Sequence, residues 1–322
     1  MRRMPAEWER QTAVQLTWPH KGTDWEPMLD EITATYLQMA EVITRFERLI
    51  VVADSETRVG NLLREVLSER QMQRVTIVEC PSDDTWARDH GMLSVYCDDG
   101  LHLLDFKFNG WGEKFESRQD NAISRRLYER GAVEGIYENH LDFVLEGGSV
   151  ESDGRGTIFT TSQCLLAPHR NQPLTQMQIE TELKRRLGAE RVMWIDFGGV
   201  EGDDTDGHID TMVRVAPNDT LLYIGGDKEL EQQLSTFRTI DNRPYNLLQL
   251  PAPTRPCTTY ANFLVVNDAV IYPTYGQPEI DTVAREVIGK AFPERQLIGL
   301  DCQTVIKQNG SLHCCTMQYF DI

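Results

Sequence analysis

Nowhere in the 322 residues is there an apolar run of the roughly 18 positions that a membrane span needs. The N-terminal stretch places Pro5, Glu7, Glu9 and Arg10 where a secretory signal would keep an apolar core, so a cytoplasmic chain is expected. Cysteine is scarce: seven, at 80, 97, 164, 257, 302, 314 and 315, an odd number with no C-x-x-C spacing. That pattern excludes a disulfide framework or a zinc ribbon and fits reduced thiols. Neither G-x-G-x-x-G after a strand nor G-x-x-x-x-G-K-[ST] is present, which removes the usual support for a nucleotide fold. No Ser/Gly/Pro-rich linker or low-complexity tract divides the chain, so one domain over residues 1–322 is expected. Positive charge is in deficit, 32 Lys+Arg against 50 Asp+Glu for a net charge of −18. Such a surface repels nucleic acid and anionic membranes and suits a cationic ligand.

What is present is an alternation of short β-rich runs with helical ones. Strands are predicted over Leu49–Asp54, Arg74–Cys80, Met92–Tyr96, Leu101–Phe108, Thr157–Leu166, Val192–Phe197, Leu221–Ile224, Phe263–Pro273 and Gln296–Asp301. Helices are predicted over Pro27–Phe46, Ser55–Glu69, Thr175–Leu187 with Gly188 as its stop, Lys228–Phe237 and Glu279–Phe292. The pattern implies an α/β fold with mixed sheets.

Four segments concentrate polar residues. Asp83-Asp84-Thr85-Trp86-Ala87-Arg88-Asp89-His90-Gly91 lies between two predicted strands, where binding residues collect; the plainer reading is a turn with a surface Arg–Asp pair. In Leu145-Glu146-Gly147-Gly148-Ser149, the Gly pair would let a ligand or a backbone approach Glu146; the plainer reading is a solvated bulge. In Asp203-Asp204-Thr205-Asp206-Gly207-His208-Ile209-Asp210, His208 and Asp210 would share one face of a strand. The spacing matches neither a calcium loop nor a zinc motif, leaving His208 as general acid/base or as a structural histidine. Gln308-Asn309-Gly310-Ser311-Leu312-His313-Cys314-Cys315 offers Cys314 as a nucleophile if a cation or base makes thiolate available. On a strand the two cysteines would point oppositely, so at most one would face a cavity.

Taken in order, these segments resemble the agmatine deiminase branch of the guanidine-modifying pentein superfamily. The likeness also includes Met4-Pro5-Ala6-Glu7-Trp8, Trp18-Pro19-His20 and Phe108-Asn109-Gly110-Trp111-Gly112, and it covers nearly the whole chain. The stretch Gln308-Asn309-Gly310-Ser311 carries less glycine than family members often do. The resemblance implies a five-bladed α/β propeller of ββαβ-type repeats around a pseudo-fivefold axis. It implies Cys314 as nucleophile, His208 as general acid/base and Glu146 as the residue that orients His208. Asp89 and Asp210 would grip the guanidinium, Trp86 would line the same slot, and Asp204 would meet a distal amine.

The implied reaction is hydrolysis of agmatine, a small cationic guanidine, to N-carbamoylputrescine and ammonia through a covalent thiouronium, with no metal or organic cofactor. Two carboxylates can hold a planar cation over a sulfur by charge-assisted hydrogen bonds, and the bound cation favours thiolate. The residues leave open deimination of free, methylated or peptidyl arginine, amidinotransferase chemistry, a non-catalytic binding module, and a homo-oligomer.

Overall fold

The computed structural model describes residues 2–321; Met1 and Ile322, the ends of the expected domain, lie outside the described residues. Sixteen strands, among the described residues, lie in five separate sheets of a mixed α/β fold. β1 (Gln11–Thr17), β2 (Arg48–Ala53) and β3 (Val75–Glu79) join the last strand, β16 (Thr316–Phe320), in the order β16-β1-β2-β3. The other sheets are each consecutive in sequence. They are β4 (Leu93–Cys97) to β6 (Ile136–Val144) around β5 (Gly100–Lys107), and β7 (Val150–Ser152) to β9 (Arg191–Ile195) around β8 (Thr157–Thr161). Then come β10 (Val213–Ala216) to β12 (Asn246–Leu250) around β11 (Thr220–Ile224), and β13 (Leu264–Val266) to β15 (Gln296–Asp301) around β14 (Ala269–Thr274).

One local rule builds all five. An antiparallel pair is extended by a parallel strand after a helical crossover; in the first sheet the antiparallel partner is the last strand, β16, and β3 adds a second parallel strand. The crossovers contain α1 (Leu29–Phe46), α3 (Ile123–Glu129), α4 (Gln176–Leu187), α5 (Lys228–Thr236) and α6 (Pro278–Ala291), while α2 (Glu56–Val66) links β2 to β3. In α1, Ile32, Tyr36, Met39 and Ile43 recur at helical spacing and are buried. Ser55 caps α2 by accepting from the Arg58 amide. Thr175 and Gln178 form a capping box on α4, which ends at Gly188 with φ 72°, as its sequence predicts.

Some expectations fail for identifiable reasons. The strand expected over Thr157–Leu166 stops at Thr161, whose hydroxyl accepts from the Cys164 amide and starts a helical turn over Ser162–Leu165. Phe263–Pro273 is a hairpin of β13 and β14, reversed at Asn267-Asp268. His208 and Asp210 are not on a strand; Ile209–Thr211 is a 3-10 turn with His208 at its start. Cys314 and Cys315 likewise occupy a 3-10 turn, His313–Cys315, immediately before β16. The sequence pattern missed β1, β6, β7, β10, β12 and β16, of which β6 is interrupted by Glu138, Asn139, His140 and Asp142.

This topology positions the site. Asp89 lies between β3 and β4, Glu146 between β6 and β7, His208 and Asp210 between β9 and β10, Asn262 between β12 and β13, and Cys314 between β15 and β16. Every passage from one sheet to the next therefore contributes a polar residue.

Candidate active site

The plainer reading of the first segment, a surface Arg–Asp pair, does not hold: Arg88 is buried at 5% and Asp89 at 3% exposure. Trp86 precedes a short helical turn, Ala87–His90, that presents Asp89 inward. Asp89 accepts from the Gly148 amide at 3.0 Å and from Trp111 Nε1 at 2.9 Å. Trp111 reaches it from left-handed backbone (φ 55°), flanked by Gly110 and Gly112 with φ 67° and 87°. A bulky residue in that conformation costs on the order of 1–3 kcal/mol, and such strain clusters at sites.

Gly148 shows why the Gly-Gly kink is needed. A Cβ there would stand 2.6 Å from His208 Nδ1, 2.9 Å from Asp89 Oδ1 and 3.2 Å from Asp210 Oδ2. The imidazole and both carboxylates thus converge on a single backbone position. His208 Nδ1 lies 3.6 Å from Asp89 Oδ1. Glu146, fully buried, is held by Arg170 Nε at 3.0 and 3.3 Å, and no hydrogen bond joins it to His208 among the described residues. Arg170 also binds Asp206 Oδ2 at 2.6 Å and the Thr205 carbonyl at 2.7 Å, tying Glu146 to the loop that carries His208.

Cys314 Sγ lies 3.9 Å from Asp210 Oδ2 and 3.4 Å from Asn262 Oδ1, which also accepts from the Cys314 amide at 3.2 Å. Asn262 donates to the Asp210 carbonyl at 3.3 Å and so bridges the two turns. Cys315 points elsewhere, onto the Ser311 carbonyl.

The electrostatics are unbalanced. Burial raises the Asp89 pKa to about 6, with Asp210 and Glu146 adding to the effect and His208 opposing it. Burial, then Asp210 and Asp89, push the Cys314 thiol well above its usual range. Burial opposes a charge on His208, but Asp89, Cys164 and Glu146 outweigh it and hold its pKa well above the ordinary value. Burial would raise Asp210 too, yet His313, His208 and Arg214 bring it below the usual carboxylate range. Both His208 ring nitrogens and Asp210 Oδ1 are buried without a hydrogen-bond partner among the described residues. Buried polar atoms are normally satisfied, so these three mark where a polar ligand belongs.

Asp89 and Cys314 open onto a narrow cavity of about 70 Å³, also lined by Trp86 and Asp204, with Asp24 and Asp84 beside them; His208 and Asp210 lie behind this lining. Gly310 seats against Trp86; a Cβ there would come within 2.2 Å of the ring. Asp204 Oδ2 accepts from Asn309 at 3.3 Å, and burial raises its pKa. A wider opening of about 930 Å³ shares Asp24, Asp84, Trp111 and Phe115 with the cavity. A groove of about 600 Å³ against Trp8, Arg155, Asp219 and Arg243 contains none of the seven site residues expected from sequence.

All seven predicted residues are accounted for: Trp86, Asp89, Asp204 and Cys314 line the cavity, His208 and Asp210 abut Asp89, and Glu146 stands behind. Sequence reasoning missed Asn262, which no motif flags, and Arg170. It noted the motifs containing Trp111 and Glu7 without giving them a task. Glu146, Cys164 and His208 carry donor atoms within 4.8 Å of one another, as do Cys97, His102 and Glu138. In each group a guanidinium, Arg170 or Arg2, already binds the glutamate, and a metal ion would have to sit beside it.

Residues 3–319 match the sequence profile of the Porphyromonas-type peptidyl-arginine deiminase family. An agmatine deiminase from Medicago truncatula is 30% identical, over 98% of this chain and 95% of its own. The chain belongs to this family, the agmatine deiminase family of the pentein superfamily. Family structures agree in fold. A Porphyromonas gingivalis protein provisionally named an arginine deiminase is 44% identical with a TM-score of 0.93, covering 100% of this chain and 99% of its own. A C. jejuni agmatine deiminase, a Cys-to-Ser form with substrate bound, is 33% identical with a TM-score of 0.89, covering 100% and 97%.

Proposed function

We propose that this protein hydrolyses agmatine to N-carbamoylputrescine and ammonia, with Cys314 as the nucleophile. The observation that carries the reading is the convergence of the Cys314 sulfur, the His208 imidazole and the Asp89 and Asp210 carboxylates at one narrow acidic cavity.

The electrostatics suit a cationic substrate. Two buried carboxylates beside Cys314 hold it as a thiol, and a guanidinium between them would offset their charge and bring the thiolate within reach. As the cation binds, the Cys314 proton is released to solvent; the thiolate then attacks the guanidinium carbon and a C–S bond forms. His208, already charged, gives its proton to one nitrogen, which leaves as ammonia when its C–N bond breaks, and a thiouronium remains on Cys314. Neutral His208 then takes a proton from water as hydroxide adds to the same carbon. The C–S bond breaks, thiolate departs, the hydroxyl proton passes to solvent or to the released ammonia, and the ureido product is released. Each proton transfer of this kind is worth about 10²–10⁴-fold. Asn262 holds the Cys314 amide and sulfur in place, Glu146 acts on His208 through their shared packing, and Trp86 walls the slot. Asp204, with Asp24 and Asp84 nearby, would receive the distal ammonium of agmatine.

We read the five sheets as blades around a pseudo-fivefold axis, forming one domain. The repeated strand order and the contribution of every inter-sheet passage to one site support this. Seven free cysteines suit a reducing, cytoplasmic setting.

Arginine, free or at a peptide C-terminus, is the second reading, because Lys107, Lys114 and Arg118 line the wider opening where its carboxylate would lie. Ammonia release from agmatine and from arginine substrates, ranked by kcat/KM, decides between them. Agmatine is expected first. Arginine ahead of agmatine would overturn the substrate, and no release from any guanidine would overturn the enzyme.

A further inference from the structure

Behind the cavity lies a second buried charge cluster built around Glu7, in the Met4–Trp8 motif. The two ring nitrogens of His313 face different carboxylates: Nδ1 lies 2.7 Å from Asp210 Oδ2 and Nε2 lies 2.7 Å from Glu7 Oε1. Neither Glu7 nor His313 is among the residues that line the cavity. Glu7 is held in turn by Arg214, with which it makes a short ion pair, and by Arg88 Nη1 at 3.4 Å. Arg214 is anchored to Glu151 at 2.5 Å, to the Ala261 and Phe263 carbonyls, and over the Phe263 ring at 4.4 Å.

The consequence concerns which carboxylate oxygen is free. His313 occupies Asp210 Oδ2, while Asp210 Oδ1 has no partner among the described residues. A ring fixed at Nδ1 alone could swing about that contact. At Nε2 the Glu7 contact, together with Arg214 Nη2 at 3.2 Å from the same nitrogen, fixes the opposite edge and with it the plane of the Asp210 carboxylate. The His313 hydrogen bond is also foremost among the influences that keep Asp210 ionised against burial, ahead of His208 and Arg214.

We infer that Glu7 is a positioning residue for the cation clamp: through His313 it sets the orientation and charge of Asp210 without touching the substrate. The inference rests on the reading that Asp210 receives the cation. The charged and titratable groups facing Asp210 are His313, His208, Arg214, Cys314 and Asp89; those facing His313 are Asp210, Glu7, Arg214 and Arg88.

The test uses chloroacetamidine, whose amidinium fits the clamp and whose chloromethyl carbon is attacked by the thiolate, so that a C–S bond forms as the C–Cl bond breaks and chloride leaves. Labelling of Cys314 is followed by mass spectrometry against concentration and pH. Glu7→Gln should raise the half-saturating concentration about tenfold, lower the limiting rate much less, and move the acid limb up by about one pH unit. Glu7→Asp should recover part of the loss. His313→Asn retains a donor toward Asp210 but severs Glu7, so it should reproduce the Glu7→Gln loss, and the double variant should be no worse than either. Wild-type labelling by folded Glu7→Gln, or strictly additive losses, would overturn the inference. If Glu7→Gln does not fold, wild-type behaviour of His313→Asn overturns it alone. Labelling of the wild type without ammonia release from agmatine would sink the proposed function and leave the relay standing. A wild type that does not label would sink the relay.

Discussion

Two buried polar clusters meet at Asp210, built from the same kinds of side chain and satisfied to opposite degrees. Around Glu7, the Arg214 guanidinium is bonded to Glu7, Glu151 and two backbone carbonyls. Around Cys314, the ring nitrogens of His208 and one Asp210 oxygen have no hydrogen-bond partner among the described residues, and two carboxylates crowd a thiol. A paired buried network is scaffold. An unpaired one costs stability and persists where a ligand completes it.

The largest expected effect probes the unpaired side. Cys314→Ser should drop guanidine turnover to background with an unchanged circular dichroism spectrum, since one atom changes; retained turnover would transfer the nucleophile to Cys315. That exchange is disfavoured because the Cys315 sulfur faces the Ser311 carbonyl and Cys315 is not among the residues that line the cavity. His208→Asn should lower kcat by about 10²–10⁴-fold with a smaller change in KM. A loss confined to KM would make His208 a binding group only.

On the paired side, Arg214→Met should cost about 3–5 kcal/mol in urea unfolding, because Glu7 and Glu151 would remain buried without their cation. Asp89→Asn should do the reverse. The folded pKa of Asp89 is raised to about 6 from an ordinary value near 4, so its contribution is complete below pH 4 and is lost as pH rises through 6. Removing its charge should therefore stabilise the ligand-free protein at pH 8, by at most about 3 kcal/mol, and do nothing at pH 4, while turnover collapses. A stability loss at pH 8 would erase the contrast between the clusters. The smallest effect lies outside both: Thr175→Ala should cost about 1 kcal/mol through its cap and leave kcat/KM unchanged.

Much of the fold was legible locally. Apolar runs such as Leu49–Ala53, the helical spacing in α1 and the stop at Gly188 are properties of neighbouring residues, and the structure follows them. Strands such as β6 were hidden because polar side chains interrupt their apolar pattern. The site was legible through the company its residues keep: Trp86 with Asp89, Glu146 before Gly147-Gly148, His208 two before Asp210, Cys314 after His313. Asn262 was not, since Thr259-Tyr260-Ala261-Asn262-Phe263 looks like any strand approach.

Sequence alone determined the chemical inventory, a thiol, an imidazole and acids in a fixed order, and a family whose likeness runs the length of the chain. Tertiary structure decided which of those groups go unpaired. Hydrogen-bond satisfaction depends on partners from distant segments, such as Arg170 on Glu146 or Glu7 on His313, and that depends on how the sheets meet rather than on any local run of residues.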